Sequence, residues 1–362
     1  MRAGTARAHG ADVYDRAGKP RKVLDFSSTV LSQDPPRAWK TKARQALNRL
    51  QQYPQPRSSG LAAAIEAKLR LPEGSVLVAN GSSEALEWLA RAAAGQSVLL
   101  EGPFFGEYLP MLQAAGAKPG RVQSVQAPLR PDLQTLLEKK PWKAGWAWVA
   151  DPANPSGICL EPERLLELVK KARRTKVRLV LDEALDAQSL EPRLDLAALA
   201  ASQEGLFVVR SLSKGLGLPG LRLGYVVAHP KEIGRLLPFT RPWSVSSLAQ
   251  AMGLWAFQEE ARLGPSRRRE LARRKQDLLF RLRQVNLSPE SSDTGYLLLS
   301  LPKKGPNGIA VAARLETLGY LIRPCHTYGP WGRRVIRLNP RTGPENARLV
   351  QALALILKQD RN

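Results

Sequence analysis

Four short apolar runs in the middle of the chain end in polar residues that could do chemistry. The first two lead into Asn80-Gly-Ser-Ser83 and Asp151-Pro-Ala-Asn154, and the next two lead into Asp182 and Ser211-Leu-Ser-Lys214. A lysine that is desolvated among small residues has a lowered pKa, and its amine can then form an imine. A carboxylate can keep a ring nitrogen of a cofactor protonated, and small residues that open a helix can bind an anion.

Each of these residues also has a simpler structural explanation. Asn80-Gly-Ser-Ser83 is an ordinary turn with a helix cap, and Asn154-Pro155 is a common turn pair. Asp182 could cap a helix, and Lys214 taken alone could be a surface lysine. Because ligands of a parallel sheet bind beyond the carboxyl ends of its strands, four polar endings in one sheet would meet in one crevice.

The apolar runs themselves predict the element order of the first two thirds of the chain. They are about four residues long, apolar on both faces and separated by helical patterns, which indicates a mostly parallel sheet covered on both sides. The predicted strands are Val76–Ala79, Ser97–Leu100, Ala147–Ala150, Arg178–Leu181, Leu206–Val209 and Gly224–Val227, and the clearest helices are Ser83–Ala94 and Pro162–Arg174.

The pattern changes after Trp243. A long helical stretch runs from about Ser246 to Val285, and Gly264-Pro265 predicts a break in it. The remainder indicates a smaller α+β domain. Its predicted elements are strands near Tyr296–Leu301, Leu321–Arg323 and Val335–Leu338 and helices near Ile309–Leu318 and Pro344–Lys358. We therefore predict an N-terminal segment (1–40) that joins the small domain, a large domain (41–243) and a C-terminal part (244–362) with the long helix.

Composition excludes several classes of protein. The formal net charge of +23 would suit nucleic-acid binding, but the basic residues are dispersed, so we do not expect nucleic acid as the primary partner. An anionic substrate is the milder explanation. No apolar run approaches the roughly 18 residues of a membrane span, and Met1–Ala11 lacks the apolar region of a signal peptide, so a cytoplasmic protein is expected. Cys159 and Cys325 lie far apart without metal spacing, so neither a disulfide framework nor a metal site is expected.

Together, the motifs resemble the class I/II aminotransferase superfamily of pyridoxal-phosphate (PLP) enzymes, fold type I. The resemblance rests on the motifs NGSSEAL, DPANPSG, DEA and SLSKGLGLPGLRLGY. In the last of these, Ser211 lies three residues before Lys214 and Arg222 eight residues after it. The resemblance runs from about His9 to the last helix. It implies an α/β, aspartate-aminotransferase-like fold, with a mostly parallel seven-stranded sheet in a large domain and a smaller α+β domain.

The resemblance also implies a role for each matching residue. Lys214 would carry PLP as a Schiff base and move the proton at Cα, Asp182 would pair with the pyridinium nitrogen, and Tyr108 would stack on the ring. Asn154 would bind the ring O3′ and the substrate. The cofactor phosphate would be held by Ser82, Ser83, Ser211, Arg222 and, from a second subunit, Tyr53.

Tyr53 therefore implies a homodimer. One departure from the family is Leu185, which stands where most of these aminotransferases have a tyrosine that donates to O3′. Because leucine cannot donate a hydrogen bond, the electronics of the imine are expected to differ from those in ordinary aminotransferases.

The N-terminal region narrows the resemblance further. His9-Gly-Ala-Asp-Val-Tyr14, Leu24-Asp-Phe-Ser27 and Pro35-Pro36 resemble the threonine-phosphate decarboxylases of cobalamin biosynthesis. These enzymes convert L-threonine O-3-phosphate to (R)-1-amino-2-propanol O-2-phosphate.

By that resemblance a phosphorylated amino acid is the expected substrate. Arg323 and Arg337 would bind its acid groups, and His9 with Gly10 would fold over it, although His9 could equally be a disordered N-terminal residue. Thr29 replaces an asparagine that is usual in the family. The alternatives are a histidinol-phosphate aminotransferase, another PLP reaction, or a non-catalytic relative.

Overall fold

The computed structural model describes residues 10–30, 37–101, 104–122, 144–215, 217–290 and 292–359. The strands are β1 (Leu24–Asp25), β2 (Val76–Ala79), β3 (Ser97–Glu101), β4 (Lys118–Val122), β5 (Trp146–Ala150), β6 (Arg178–Glu183), β7 (Leu206–Ser211), β8 (Gly224–Val227), β9 (Leu297–Ser300), β10 (Tyr320–Leu321), β11 (Arg323–Pro324) and β12 (Val335–Leu338). The helices are α1 (Arg37–Leu47), α2 (Ser59–Leu69), α3 (Ser82–Ala92), α4 (Tyr108–Ala114), α5 (Pro162–Arg174), α6 (Ala197–Ser202), α7 (Leu212–Gly215), α8 (Pro230–Leu236), α9 (Ser247–Gln284), α10 (Gly308–Thr317) and α11 (Gly343–Gln359).

A seven-stranded sheet forms the centre of the large domain, in the order β2-β8-β7-β6-β5-β3-β4. The neighbours from β4 to β7 pair in parallel, whereas β8 is antiparallel to both β7 and β2. The predicted mostly parallel, seven-stranded sheet is therefore confirmed. Its parallel strands end at one edge, which brings the polar residues that follow them together.

Helices cover both faces of this sheet. On one face α3, α4 and α8 contribute buried side chains such as Leu89, Leu112 and Ile233. On the other face lie α2, α5, α6 and the first half of α9, with Leu168 and Phe257 in contact with the strands. Burial of one such side chain contributes about 1.5–3 kcal/mol, so these faces hold the sheet edge in a fixed geometry.

A second, smaller core is built around the antiparallel sheet β11-β12-β9. The second half of α9, together with α10 and α11, packs on it through Leu282, Val311 and Leu353. The N-terminal segment contacts the same unit, because β1 pairs in parallel with β10. The expected division of the chain at residues 40 and 243 remains a prediction.

Two local expectations were wrong in detail, and one strand of the large sheet was not expected. The chain around Leu321–Arg323 forms two short strands, β10 and β11, because each pairs with a different partner. The edge strand β4 was missed, since its sequence Lys-Pro-Gly-Arg-Val contains the two residues that strands least favour. The long helix α9 is continuous through Pro265, where a break was expected.

Packing explains why α9 continues through Pro265. An interior proline removes one helical hydrogen bond and costs about 3 kcal/mol. Before it, Met252 and Ala256 pack against Trp39 of α1, and after it Leu278 and Leu282 are buried in the small core. These contacts on both sides of Pro265 offset its cost.

We expect Pro265→Ala to raise the free energy of unfolding by about 1–3 kcal/mol, because alanine restores the helical hydrogen bond. The greater freedom of the unfolded alanine variant offsets part of this gain. Denaturant unfolding measures this change. The matched control is Pro230→Ala at the first residue of α8, where no helical N–H is needed, and it should change stability by less than about 1 kcal/mol. A destabilised Pro265→Ala protein would contradict the interpretation.

Candidate active site

A cavity lies where β5, β6 and β7 end and α3 begins. It brings together five residues singled out from the sequence: Ser82, Ser83, Asn154, Asp182 and Lys214. Its other lining residues are Leu86, Phe105, Ala150, Pro152, Ala184 and Leu185. The four polar strand endings therefore do meet at one edge of the sheet, although Ser211 takes another direction.

Lys214 lies on the short helix α7, directly after β7. Ser213 fixes this turn against the start of β8, because its Oγ accepts from the Leu223 amide at 2.7 Å and donates to the Leu223 carbonyl at 3.1 Å. Burial lowers the pKa of the Lys214 amine to about 8, and the nearby charges of Arg337 and Arg222 act in the same direction, while Asp182 opposes them. A larger fraction of the amine is therefore neutral and nucleophilic near neutral pH.

Asp182 is the second-last residue of β6, and it is buried in the lining of the cavity. Its Oδ1 accepts from the Ala184 amide at 2.9 Å, and its Oδ2 accepts from the hydroxyl of Tyr108. Burial and then the charge of Asp182 raise the pKa of Tyr108 well above its usual value, so this hydroxyl keeps its proton and donates. Asp182 thus presents a carboxylate in fixed orientation to the cavity.

Tyr108 is not among the residues that line the cavity, so its expected stacking on a cofactor ring stays a prediction. It is fully buried at the start of α4, with Trp148 and Phe105 packed edge-on at 5.2 and 5.7 Å. The aromatic side chain that lines the cavity is Phe105. The sequence offered Phe105 as an alternative aromatic residue, since Phe104 and Phe105 precede Tyr108 in the same stretch.

The N-terminus of α3 forms a close-fitting turn beside Arg222. Gly81 has φ +81°, and a Cβ there would lie 2.3 Å from Nη2 of Arg222. A Cβ on Gly224 would lie 2.5 Å from the amide nitrogen of Ser82. Backbone amides at a helix start and an adjacent guanidinium form an anion site. Ser211, in contrast, lines a cavity on the other face of the sheet with Glu183 and Arg210.

Two buried arginines of the small unit lie side by side, and one of them contacts a residue that lines the cavity. Arg323 on β11 and Arg337 on β12 are direct cross-strand partners, so their side chains share one face. Arg337 donates to Oδ1 of Asn154 and to the carbonyl of Ser27, both at 3.0 Å, and lies over the ring of Tyr296. Two like charges side by side at a buried position favour binding of an anion.

The N-terminal residues reach this region through Ser27. The Ala11 amide donates to Ser27 Oγ at 2.7 Å, and a Cβ on Gly10 would lie 2.7 Å from the Ser27 carbonyl oxygen, which accepts from Arg337. Thr29 is buried two residues further on. His9 lies outside the described residues.

Tyr53 lies outside the cavity of its own chain. The residue is 82% exposed, packs against Trp243 at 5.1 Å and lines a separate groove between the turn after α1, helix α2 and the start of α9. Its expected role, which requires a second subunit, therefore stays a prediction.

Sequence reasoning missed Tyr328, which follows β11 in a 3-10 turn. Its hydroxyl donates to Oδ1 of Asn154 at 2.8 Å. Nothing local in the sequence indicated this contact between distant segments. Leu185 does line the cavity, where it offers no hydrogen-bond donor.

The described ranges contain no group of three or more His, Cys, Asp or Glu side chains arranged to hold a metal ion. Within those same ranges, no helix has both the length and the apolar character that crossing a bilayer requires.

Comparison with known proteins identifies the family. The sequence pattern of aminotransferase class I and II matches residues 21–353. Threonine-phosphate decarboxylase of Salmonella typhimurium is 27% identical over 97% of this chain and 96% of its own length. Histidinol-phosphate aminotransferase 2 of Ralstonia nicotianae is 31% identical over 87% and 83%.

Solved structures show the same fold. L-threonine-O-3-phosphate decarboxylase from Porphyromonas gingivalis superposes with a TM-score of 0.81 at 24% identity, covering 92% of this chain and 99% of its own. The histidinol-phosphate aminotransferase from Clostridium acetobutylicum reaches 0.84 at 18% identity, covering 93% and 100%.

The lowered pKa of Lys214 predicts its reactivity. In cofactor-free protein, modification of this lysine by a pulse of amine-selective reagent should rise with a midpoint near pH 8, because the protonated amine below that pH does not react. An ordinary lysine has its midpoint near ~10.4. Peptide mapping after each pulse resolves Lys214 from the other lysines. A midpoint above about 9.5 would contradict the described environment.

Proposed function

Because the chain belongs to the aminotransferase class I and II family, whose members use pyridoxal phosphate, we propose that it is a PLP enzyme that decarboxylates L-threonine O-3-phosphate. The product would be (R)-1-amino-2-propanol O-2-phosphate. The observation that carries the proposal is the pair of buried, directly opposed arginines, Arg323 and Arg337, of which Arg337 contacts Asn154 in the lining of the Lys214 cavity.

The residues present fit the cofactor. The amine of Lys214 would hold its aldehyde carbon, Asp182 would hold its ring nitrogen protonated, and Phe105 would cover the ring in place of Tyr108. Asn154 would donate to the ring oxygen. The phosphate would meet the start of α3, with candidate contacts from Ser82, Ser83 and Arg222. The contact expected from Ser211 stays a prediction, because this residue lines the cavity on the other face of the sheet.

When bound, the cofactor supplies an electron sink for a broken bond at the substrate Cα. The protein supplies charge and orientation around that carbon. Tyr108 donates a hydrogen bond to Asp182 and so fixes the orientation of this carboxylate beside the cavity. Lys214, in the same cavity, is placed to carry a proton to or from Cα.

The substrate follows from charge and geometry. Phosphothreonine has a carboxylate and a phosphate on a short skeleton, together about three negative charges near neutral pH. Two guanidinium groups on one face suit two such groups, since each binds oxyanions through paired N–H donors. His9, Gly10 and Thr29 would complete the substrate site from the N-terminal segment.

Transamination of histidinol phosphate is the second candidate. It is favoured by the 31% identity to the Ralstonia enzyme, and it would use the same cofactor residues. The two reactions break different bonds at Cα. Histidinol phosphate has no carboxylate, so it would use the two arginines unequally.

The exposure of Tyr53 supports a homodimer. A tyrosine that is 82% exposed beside a half-exposed Trp243 makes an aromatic surface that a second subunit would cover. In the proposed dimer, Tyr53 would reach the phosphate end of the partner's cofactor.

Purified protein loaded with PLP should release CO2 from phosphothreonine. Arg323→Gln and Arg337→Gln should each raise KM for phosphothreonine roughly ten- to hundredfold, because each removes a charge-assisted contact of about 1.5–3 kcal/mol. CO2 release and keto-acid formation are measured side by side. Arg333→Gln on the adjacent turn serves as the charge-matched control. Efficient transamination of histidinol phosphate, with no CO2 from phosphothreonine, would replace the proposal by the second candidate.

The homodimer can be tested by complementation. We expect Tyr53→Phe and Lys214→Ala proteins to be impaired when each is assayed alone. Mixed dimers should regain activity, because one of their two sites would combine a native Tyr53 with a native Lys214. Sedimentation gives the oligomeric state under assay conditions. A fully active monomer would contradict the proposed interface.

A further inference from the structure

The carboxamide of Asn154 is held by two donors from the small unit. Its Oδ1 accepts from the Tyr328 hydroxyl at 2.8 Å and from Nη1 of Arg337 at 3.0 Å. Because a guanidinium group can only donate, the amide atom that faces it must be the oxygen. The N–H groups of Asn154 are therefore left for the cavity that this residue lines.

Tyr328 also contacts the region of the substrate arginines. Its ring lies 5.7 Å from the guanidinium carbon of Arg323, whose Nη2 donates to Thr327 Oγ1 at 3.2 Å. All three residues belong to β11 and the turn that follows it. The same turn thus touches an arginine at the proposed acid-group site and the amide at the proposed cofactor site.

The hydrogen bond between Tyr328 and Asn154 is important because of Leu185. The side chain of Leu185 is 4% exposed, lines the same cavity and has no polar hydrogen to donate. Where Leu185 cannot donate, the N–H groups of Asn154 can. The Tyr328 hydroxyl binds the oxygen of the same carboxamide.

We infer that Tyr328 is a positioning residue that orients and polarises the Asn154 carboxamide for donation to the ring oxygen of the cofactor. This inference rests on the proposed function. A hydrogen bond accepted by an amide oxygen strengthens donation by the N–H groups of the same amide. The stack on Arg323 further links the position of the Tyr328 hydroxyl to the substrate's acid group.

The direct test is a spectrophotometric pH titration of the visible band of the PLP-loaded protein. A hydrogen bond to the ring oxygen stabilises its negative form, so the proton shared with the Lys214 nitrogen leaves at lower pH. Tyr328→Phe keeps the ring but weakens that donation. The midpoint should therefore rise by roughly 0.4–1 pH unit, the equivalent of one hydrogen bond of about 0.5–1.5 kcal/mol.

Two further variants separate this role from a general structural effect. Tyr320→Phe removes a tyrosine hydroxyl from the same unit outside the lining of the cavity, and it should leave the midpoint unchanged. Adding Leu185→Tyr to Tyr328→Phe places a donor on the cavity side, and it should return the midpoint toward the wild-type value.

The outcomes distinguish the inference from the proposal beneath it. A wild-type protein that titrates normally, with Tyr328→Phe at the same midpoint, would overturn the role of Tyr328 and leave the PLP assignment standing. A wild-type protein without any visible band would overturn the proposed function and this inference together. A raised midpoint that Leu185→Tyr reverses supports the inference.

Discussion

The desolvated amine of Lys214 is the feature on which the rest of the site depends. Burial drives its pKa down, Arg222 and Arg337 add to this effect, and Asp182 limits it. These four residues come from different elements, namely the turn after β7, the turn before β8, strand β12 and strand β6. The amine therefore has the described environment only when the parallel sheet and the small unit are both in place.

The sheet and half of the site could be predicted because their signals are local. Buried parallel strands are apolar on both faces, and Asn154, Asp182 and Lys214 each follow such a strand. The contacts that could not be predicted join distant segments. The Tyr108–Asp182 hydrogen bond spans 74 residues and the Tyr328–Asn154 bond spans 174. From the sequence alone, Tyr108 in its aromatic-rich stretch could stack on a ring or donate a hydrogen bond from a buried position. The hydrogen bond to Asp182 becomes visible only in the packed structure.

Pro265 shows the same limit for secondary structure. Gly264-Pro265 is a strong local signal for a helix end, yet α9 continues from Ser247 to Gln284. The helix has to join two cores, since Phe257 packs in the large one and Leu282 in the small one. Tertiary packing of this extent outweighs a local cost of about 3 kcal/mol. The continuity of α9 in turn connects the small unit, with Arg337 and Tyr328, to the large domain through a single helix.

The arginines of this strongly basic chain differ in whether their charge is neutralised by a carboxylate. Arg193 is bound by Asp151, and Arg210 by Glu183 and Asp195, so these buried charges are neutralised within the large domain. Arg337 instead donates to the neutral oxygens of Asn154 and Ser27 and lies over the face of Tyr296. Neutral acceptors fix the orientation of a guanidinium group without cancelling its charge. Arg337 therefore keeps its positive charge beside the site, unlike Arg193 and Arg210, and this charge would attract an anionic substrate.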